Sequence, residues 1–369
     1  MSAAKSPPTG REQRVLEIIE TARSKRARFR DEQITLAHGA GGKATQTLIE
    51  GLLVPAFTAG REDAALSALG DAGSIALGAT RLVMTSDSFV VKPLRFPGGS
   101  IGELAVNGTV NDLAMAGARA LGLTVSMILE EGLSSDVLRA EVQAIAAAAQ
   151  AADVEIVGGD TKVVERGAAD GMYLCTTGVG AVDERAALAT DGIRPGDQIL
   201  VSGPIGEHGT AIMLARDQFD LDAEIDSDTC SLWPAVDALL EAAGDRLHCL
   251  RDATRGGVAS VLNELARASK VAMVVREGDV PVSPVVAAAA EILGIDPMYV
   301  ANEGRLVAFV APEAAEAALA ALQGVDGCAG AAAIGEVRTE PPGMVMVHTA
   351  FGGRRVMDQL VGDPLPRIC

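Results

Sequence analysis

Leu247-His248-Cys249-Leu250-Arg251-Asp252-Ala253-Thr254-Arg255-Gly256-Gly257-Val258-Ala259-Ser260-Val261-Leu262 carries the pattern that decides the fold. An apolar strand over Leu247–Leu250 runs into a carboxylate, a turn with two glycines follows, and a helix begins. Within the predicted helix Gly256–Ala268, Val258, Val261, Leu262 and Leu265 fall on one apolar stripe. Strand, acidic turn and amphipathic helix together make an α/β unit that buries one helix face against a sheet.

From Ile34 onward, strands and helices alternate. The spacing predicts strands at Arg81–Ser86, Leu121–Leu129, Val154–Val157, Met172–Val182, Gln198–Ser202, Val271–Val275, Arg305–Val310, Ala333–Val337 and Met344–His348. Helices are predicted at Ile101–Ala116, Ser134–Ala152, His208–Arg216, Ser231–Ala243, Pro284–Leu293 and Pro312–Gln323, besides Gly256–Ala268. The turn-rich run Asp191-Gly192-Ile193-Arg194-Pro195-Gly196-Asp197 reads as a domain boundary. The expectation is two α/β domains, 34–190 and 191–350, with a basic extension over 1–33 and a C-terminal tail over 351–369.

Length and composition fit this reading. The chain has 369 residues, 49% of them hydrophobic and only 3% aromatic, which is ample for two cores. No apolar run approaches the ~18 residues of a membrane span. The opening MSAAKSPPTG has no apolar signal core, so a cytoplasmic protein is expected. Five cysteines (Cys175, Cys230, Cys249, Cys328 and Cys369) make no CxxC or other ligand spacing, which argues against structural zinc and a disulfide framework. Residues 1–30 hold eight Lys/Arg against three Glu, a net of +5; with −18 for the whole chain, the remainder carries −23. So acidic a body excludes ordinary nucleic-acid binding, which rests on basic neutralisation of phosphates. Val15, Ile18, Ile19 and Ala22 give the leader an amphipathic helical spacing near 11–29.

Four aspartates stand beside strands or glycine turns. Asp87 follows Arg81–Ser86, Asp112 closes Asn107-Gly108-Thr109-Val110-Asn111-Asp112 early in a helical stretch, Asp160 follows Val154–Val157 through Gly158-Gly159, and Asp252 precedes Arg255-Gly256-Gly257. Any one of them alone is, by residue preference, a cap or turn residue. As a set they are what holds Mg²⁺ against nucleotide phosphates, since that ion takes hard oxygen ligands. His38-Gly39-Ala40-Gly41-Gly42-Lys43 is glycine-rich and ends in a lysine, yet Ala37 and Ala44 break the phosphate-loop pattern. What remains is close backbone approach to an anion plus one positive charge, or simply a turn. Lys162 and Glu303 are each either a base near a nucleotide or a local contact, phosphate or surface for the lysine and a turn cap for the glutamate.

The chain ends Gly362-Asp363-Pro364-Leu365-Pro366-Arg367-Ile368-Cys369. Two prolines favour extended backbone, and such a tail carries its thiol through about 25 Å at ~3.3 Å per residue. That suits a carrier thiol, and equally a frayed terminus.

HGAGGK (38–43), SDSFVVKPLRFPGG (86–99), NGTVNDLAMAGA (107–118), GGDTKVV (158–164), SGPIGEHG (202–209), RDATRGG (251–257), ANEG (301–304) and terminal PRIC (366–369) together resemble the HypE family of hydrogenase-maturation proteins. The resemblance spans about 34–369. Asn107 stands where many relatives have cysteine. PRIC is specific to that family, whereas the interior segments are shared with aminoimidazole ribonucleotide synthetase, selenophosphate synthetase and thiamine-monophosphate kinase. What it implies is an ATP-dependent carbamoyl dehydratase with a two-domain PurM-like fold of mixed sheets, whose N-terminal sheets pair across a homodimer into a barrel. It further implies carbamoylation of Cys369 by HypF, dehydration to a thiocyanate, and cyanide delivery to iron on HypC–HypD. The resemblance places Mg²⁺ on Asp87, Asp112 and Asp252. It places ATP near Gly41, Gly42, Lys43, Asn111, Gly159, Asp160, Thr161 and Thr254, and catalysis on Glu303 and Lys162. The alternatives are a non-catalytic ATP-binding carrier and another ATP-dependent kinase or synthetase of the superfamily.

Overall fold

Along Met172–Val182, buried residues alternate with half-buried ones, the mark of a strand whose sheet is covered on one face only. The protein's computed structural model describes residues 28–58, 66, 70–78, 80–216 and 224–360. Residues 1–27, most of the expected leader helix, and residues 361–369 with Cys369 lie outside the described residues.

After two short helices, α1 (Lys43–Leu48) and α2 (Val54–Thr58), a five-stranded sheet forms. Its strands are β1 (Gly73–Leu77), β2 (Thr80–Phe89), β5 (Ala118–Glu130), β6 (Glu155–Val164) and β7 (Met172–Val182). A hairpin of β3 (Arg95–Phe96) and β4 (Gly99–Ser100) lies apart from the sheet. The order is β1-β2-β7-β5-β6, antiparallel except for the parallel pair β5–β6. Helices α3 (Ile101–Met115) and α4 (Ser135–Ala151) cover one face. Ile101, Leu104, Leu123, Met172 and Leu174 are fully buried between helix and sheet. Each such side chain contributes roughly 1.5–3 kcal/mol of burial.

The second sheet has the order β14-β13-β10-β12-β8-β11-β9. Its strands are β8 (Gln198–Val201), β9 (Leu247–Asp252), β10 (Ala272–Arg276), β11 (Leu306–Val310), β12 (Ala332–Arg338), β13 (Met344–His348) and β14 (Arg354–Met357). β11 is buried along its whole length because helices cover both faces. On one side lies α7 (Gly257–Ala268), on the other α6 (Trp233–Ala243) and α9 (Ala315–Gln323); α5 (Glu207–Leu214) and α8 (Pro284–Leu293) complete the helices. The opening stripe Val258, Val261, Leu262 and Leu265 sits in the α7 core as expected. The two halves share core: Ala114 and Met115 of α3 pack with α6, while Ile212 and Met213 of α5 join the α3 cluster.

Four expectations need correction. β6 does not stop at Val157 but continues as an edge strand to Val164, because parallel pairing with β5 overrides the turn preference of Gly158-Gly159. Asp160 therefore sits inside a strand. β2 likewise runs to Phe89, held by β7, so Asp87 is within it. Asp112 falls in the last turn of α3 rather than early in a helix. Residues 354–357, assigned to the tail, add β14 to the second sheet. No helix among the described residues is long and apolar enough to cross a membrane.

Candidate active site

β2 alternates, and its inward set Val83, Thr85, Asp87 and Phe89 faces α3. The Thr109 hydroxyl donates to Asp87 Oδ2 at 3.1 Å, and the Thr85 hydroxyl donates to Asp112 Oδ2 at 2.7 Å. Asp252 reaches the same place from the end of β9. A fourth carboxylate, Asp71, arrives from the turn before β1. Ligand oxygens of Asp71, Asp112 and Asp252 lie within 4.8 Å of one another.

Electrostatics mark these groups as one site. Burial first, then repulsion from Asp87, Asp252 and Asp71, pushes the Asp112 carboxyl well above the usual range. Asp252 is pushed well up by burial and then by Asp71. Burial likewise raises Asp87, with Thr109 and Arg255 partly opposing, and raises Asp71 against its contact with Arg251. Buried carboxylates crowded in this way call for a cation. Hard oxygen donors at this spacing fit Mg²⁺.

Glu303 adjoins the cluster. Asn302 binds the carbonyl of Ala253 through its backbone N–H at 3.0 Å and its side-chain amide at 2.8 Å, so the turn before β11 lies along the segment that follows Asp252. The Glu303 N–H donates to Asp228 Oδ1 at 2.9 Å, and its carbonyl accepts from Asn111 Nδ2 at 3.3 Å. Its Oε1 is buried with no hydrogen-bond partner. Burial, then Asp252 and Asp228, pushes this carboxyl well up, and Arg255 opposes them. Gly304 lets the 226–232 segment close over the turn: a Cβ there would meet the Asp228 carbonyl at 1.8 Å.

The glycine turn packs on the same region. Arg255 Nη1 donates to the Gly39 carbonyl at 2.8 Å, and a Cβ on Gly41, at φ +77°, would meet the Arg255 carbonyl at 2.9 Å. Gly42 caps α1, and Lys43 opens it. Thr254 lies two residues past Asp252, and its carbonyl accepts from Gly257 N–H at 2.9 Å to start α7. Asn111 is engaged in bracing: it donates to the Cys230 and Glu303 carbonyls and accepts from Leu232 N–H.

Gly159, Asp160, Thr161 and Lys162 stand elsewhere. Asp160 pairs in register with Ser126, and Ser126 with Cys175, on the sheet face away from α3. From β6 to β2 is three strand spacings, roughly 14 Å. The Lys162 ammonium donates to Asp160 at 2.6 Å, and that bond first, then Thr161 N–H, holds the exposed Asp160 carboxyl low. Within one chain this pair does not join the aspartates. Asp71 is the group that sequence reading omitted, although Gly70-Asp71-Ala72-Gly73 repeats the acidic, glycine-rich context of Asp252.

Comparisons with known proteins match both halves of this fold. Residues 69–182 match the AIR synthase related protein N-terminal domain, and 194–348 match the corresponding C-terminal domain. A carbamoyl dehydratase HypE of Bradyrhizobium diazoefficiens is 47% identical over 341 residues, covering 92% of this chain and 97% of that protein. The structure of a HypE–HypF complex superposes with a TM-score of 0.79 at 40% identity, over 84% of this chain and 99% of that one. A HypE structure in complex with ATP gives 0.76 at 43% identity, over 91% and 100%.

Proposed function

The chain belongs to the carbamoyl dehydratase HypE family of AIR synthase-related proteins, and from that premise we propose that it converts an S-carbamoyl group on Cys369 into a thiocyanate at the expense of ATP. The observation that carries this reading is Glu303, buried with an unpartnered carboxylate oxygen and electrostatically tied to the aspartate cluster. An amide oxygen is a poor leaving group until it is phosphorylated. The carboxamide oxygen attacks the γ-phosphorus of ATP, the bond to the bridging oxygen breaks, and ADP leaves. One N–H proton departs as the O-phosphorylated imidate forms. The second departs as the C–O bond breaks, giving S–C≡N and inorganic phosphate.

Mg²⁺ on Asp71, Asp112 and Asp252, with Asp87 beside them, would neutralise triphosphate charge. Glu303, whose carboxyl is pushed up first by burial and further by Asp252 and Asp87, would give up its proton more readily once those charges are compensated. It then takes a proton from the amide nitrogen as general base. Lys43, at the end of the glycine turn, supplies a positive charge to phosphate oxygens, with Gly42 and Thr254 beside it, while the Gly41 N–H is held by Thr45 Oγ1 at 3.0 Å and shapes the turn. Delivery to this site falls to the tail.

Lys162, Gly159, Asp160 and Thr161 enter from a second copy. The sheet face away from α3 and its β6 edge leave Leu77, Leu121, Val157 and Val163 more than half exposed. Apolar side chains in such a patch support pairing of two sheets across a homodimer. HypF would load Cys369, as the solved HypE–HypF complex suggests, and HypC–HypD would receive the cyanide. The test is stoichiometry: carbamoylated protein mixed with Mg-ATP should release about one phosphate per modified thiol. Phosphate release that ignores the state of the thiol would instead indicate an ATPase unconnected to the tail, and none at all would indicate a passive carrier.

A further inference from the structure

The strap after β14 crosses α7 and ends on the glycine turn. Asn263 Nδ2 donates to the Met357 carbonyl at 3.1 Å, and the Tyr299 hydroxyl donates to the Asp358 carbonyl at 2.8 Å. The backbone N–H of Lys43 donates to the Leu360 carbonyl at 3.1 Å, using a helix-start donor that has no partner within α1. Lys43 Nζ pairs with Asp358 Oδ2 at 2.8 Å. Arg267 holds the other Asp358 oxygen at 3.3 Å and bonds Gln359 Oε1 at 2.9 Å and Gln46 Oε1 at 2.7 Å. The last described residues before Cys369 are thus fastened to the turn that borders the aspartate cluster.

We propose that Lys43 couples nucleotide binding to the root of the tail, pairing with Asp358 when no phosphate is present and exchanging that carboxylate for a phosphate oxygen when nucleotide binds. This rests on the reading of Lys43 as a phosphate contact. Arg267 makes the exchange feasible, because Asp358 keeps one cationic partner when Lys43 leaves. A second line of contacts runs the same way: Gln359 Nε2 donates to Glu264 at 3.4 Å, Glu264 lies 3.7 Å from Arg251, and Arg251 contacts Asp71. Cys369 follows Leu360 by nine residues, about 30 Å of extended chain, so loosening the root enlarges the region its thiol can reach. By linkage, whatever loosens the root must also strengthen nucleotide binding.

The experiment uses the full-length protein with a fluorescent, non-hydrolysable ATP analogue and Mg²⁺, alongside the alkylation rate of Cys369 followed by peptide mass mapping. Asp358→Asn removes the competitor. It should tighten nucleotide binding about two- to fivefold, the scale of one half-exposed ion pair, and shrink the nucleotide-dependent change in alkylation. Lys43→Met should weaken binding, and Lys43→Arg should restore most of it. Melting curves of all three variants control for folding. If Lys43→Met weakens binding while Asp358→Asn changes neither readout, the coupling is wrong and the phosphate contact stands. If Lys43→Met binds nucleotide as the parent does, the phosphate contact itself is wrong, and the coupling falls with it. Neither outcome depends on whether dehydration occurs.

Discussion

Replacing Asp112 with asparagine should stabilise the metal-free protein and cost it most of its response to Mg²⁺. Asp112 has oxygens of Asp71 and Asp252 within 4.8 Å, and unit charges at that distance repel by about 3 kcal/mol per pair at an effective dielectric of ~20. Protonation already relieves part of this, since burial and these neighbours push the Asp112 carboxyl well above its usual range. A net gain of roughly 1–3 kcal/mol near neutral pH remains, with the asparagine oxygen still able to accept from Thr85. The sign of the pH dependence follows. A carboxyl whose folded-state proton affinity is raised binds more protons folded than unfolded, so its contribution to stability falls as pH rises from the ordinary carboxylate range through the raised one. The assay is thermal unfolding of parent and variant in chelator from pH 4.5 to 8, repeated in millimolar Mg²⁺. The variant's advantage should grow with pH in chelator and reverse in Mg²⁺. A variant that melts below the parent at every pH in chelator, with its Mg²⁺ gain intact, would refute the cluster as a cation site.

Further outcomes follow from other parts of the structure. Glu303→Gln should still accept a carbamoyl group and bind nucleotide, yet lose dehydration by ~10²- to 10⁴-fold in a single-turnover mass assay, the range of a lost general base. Leu121→Glu, on the open sheet face, should shift the protein to monomer in light scattering and reduce dehydration, while leaving each chain folded. Leu262→Ala, deep in the α7 core, should cost about 2–5 kcal/mol in denaturant unfolding without changing nucleotide affinity beyond that loss.

Where local and tertiary signals agree, the sequence is legible. Met172–Val182 alternates cleanly, and Pro284–Leu293 has Ser283 capping its start and Gly294 in the left-handed region at its end. Both elements match their predicted limits. Glu155–Val164 is longer than it reads because Gly158-Gly159 carries a turn preference that pairing with β5 overrides; a Cβ on Gly159 would lie 2.1 Å from the Val125 carbonyl. Arg354–Met357 has too little apolar character to announce an edge strand. Asp112 and Asp252 were visible as acidic residues near glycines, but their convergence with Asp71 required the order β1-β2 beside β7 and the crossing of α3 over β2. The clamp between Lys43 and Asp358 joins residues 315 positions apart, and no local pattern carries it.

The central claim is that Cys369 carries the group that is dehydrated. Intact mass and C-terminal peptide mapping of the protein, after loading by its carbamoyltransferase and then Mg-ATP, test it most directly. A gain of about 43 Da on the peptide ending in Cys369, followed by a loss of about 18 Da with Mg-ATP, is the carboxamide-to-thiocyanate step expected here. A loaded thiol that keeps its full mass under Mg-ATP, or a carbamoyl group found elsewhere on the chain, would contradict the account.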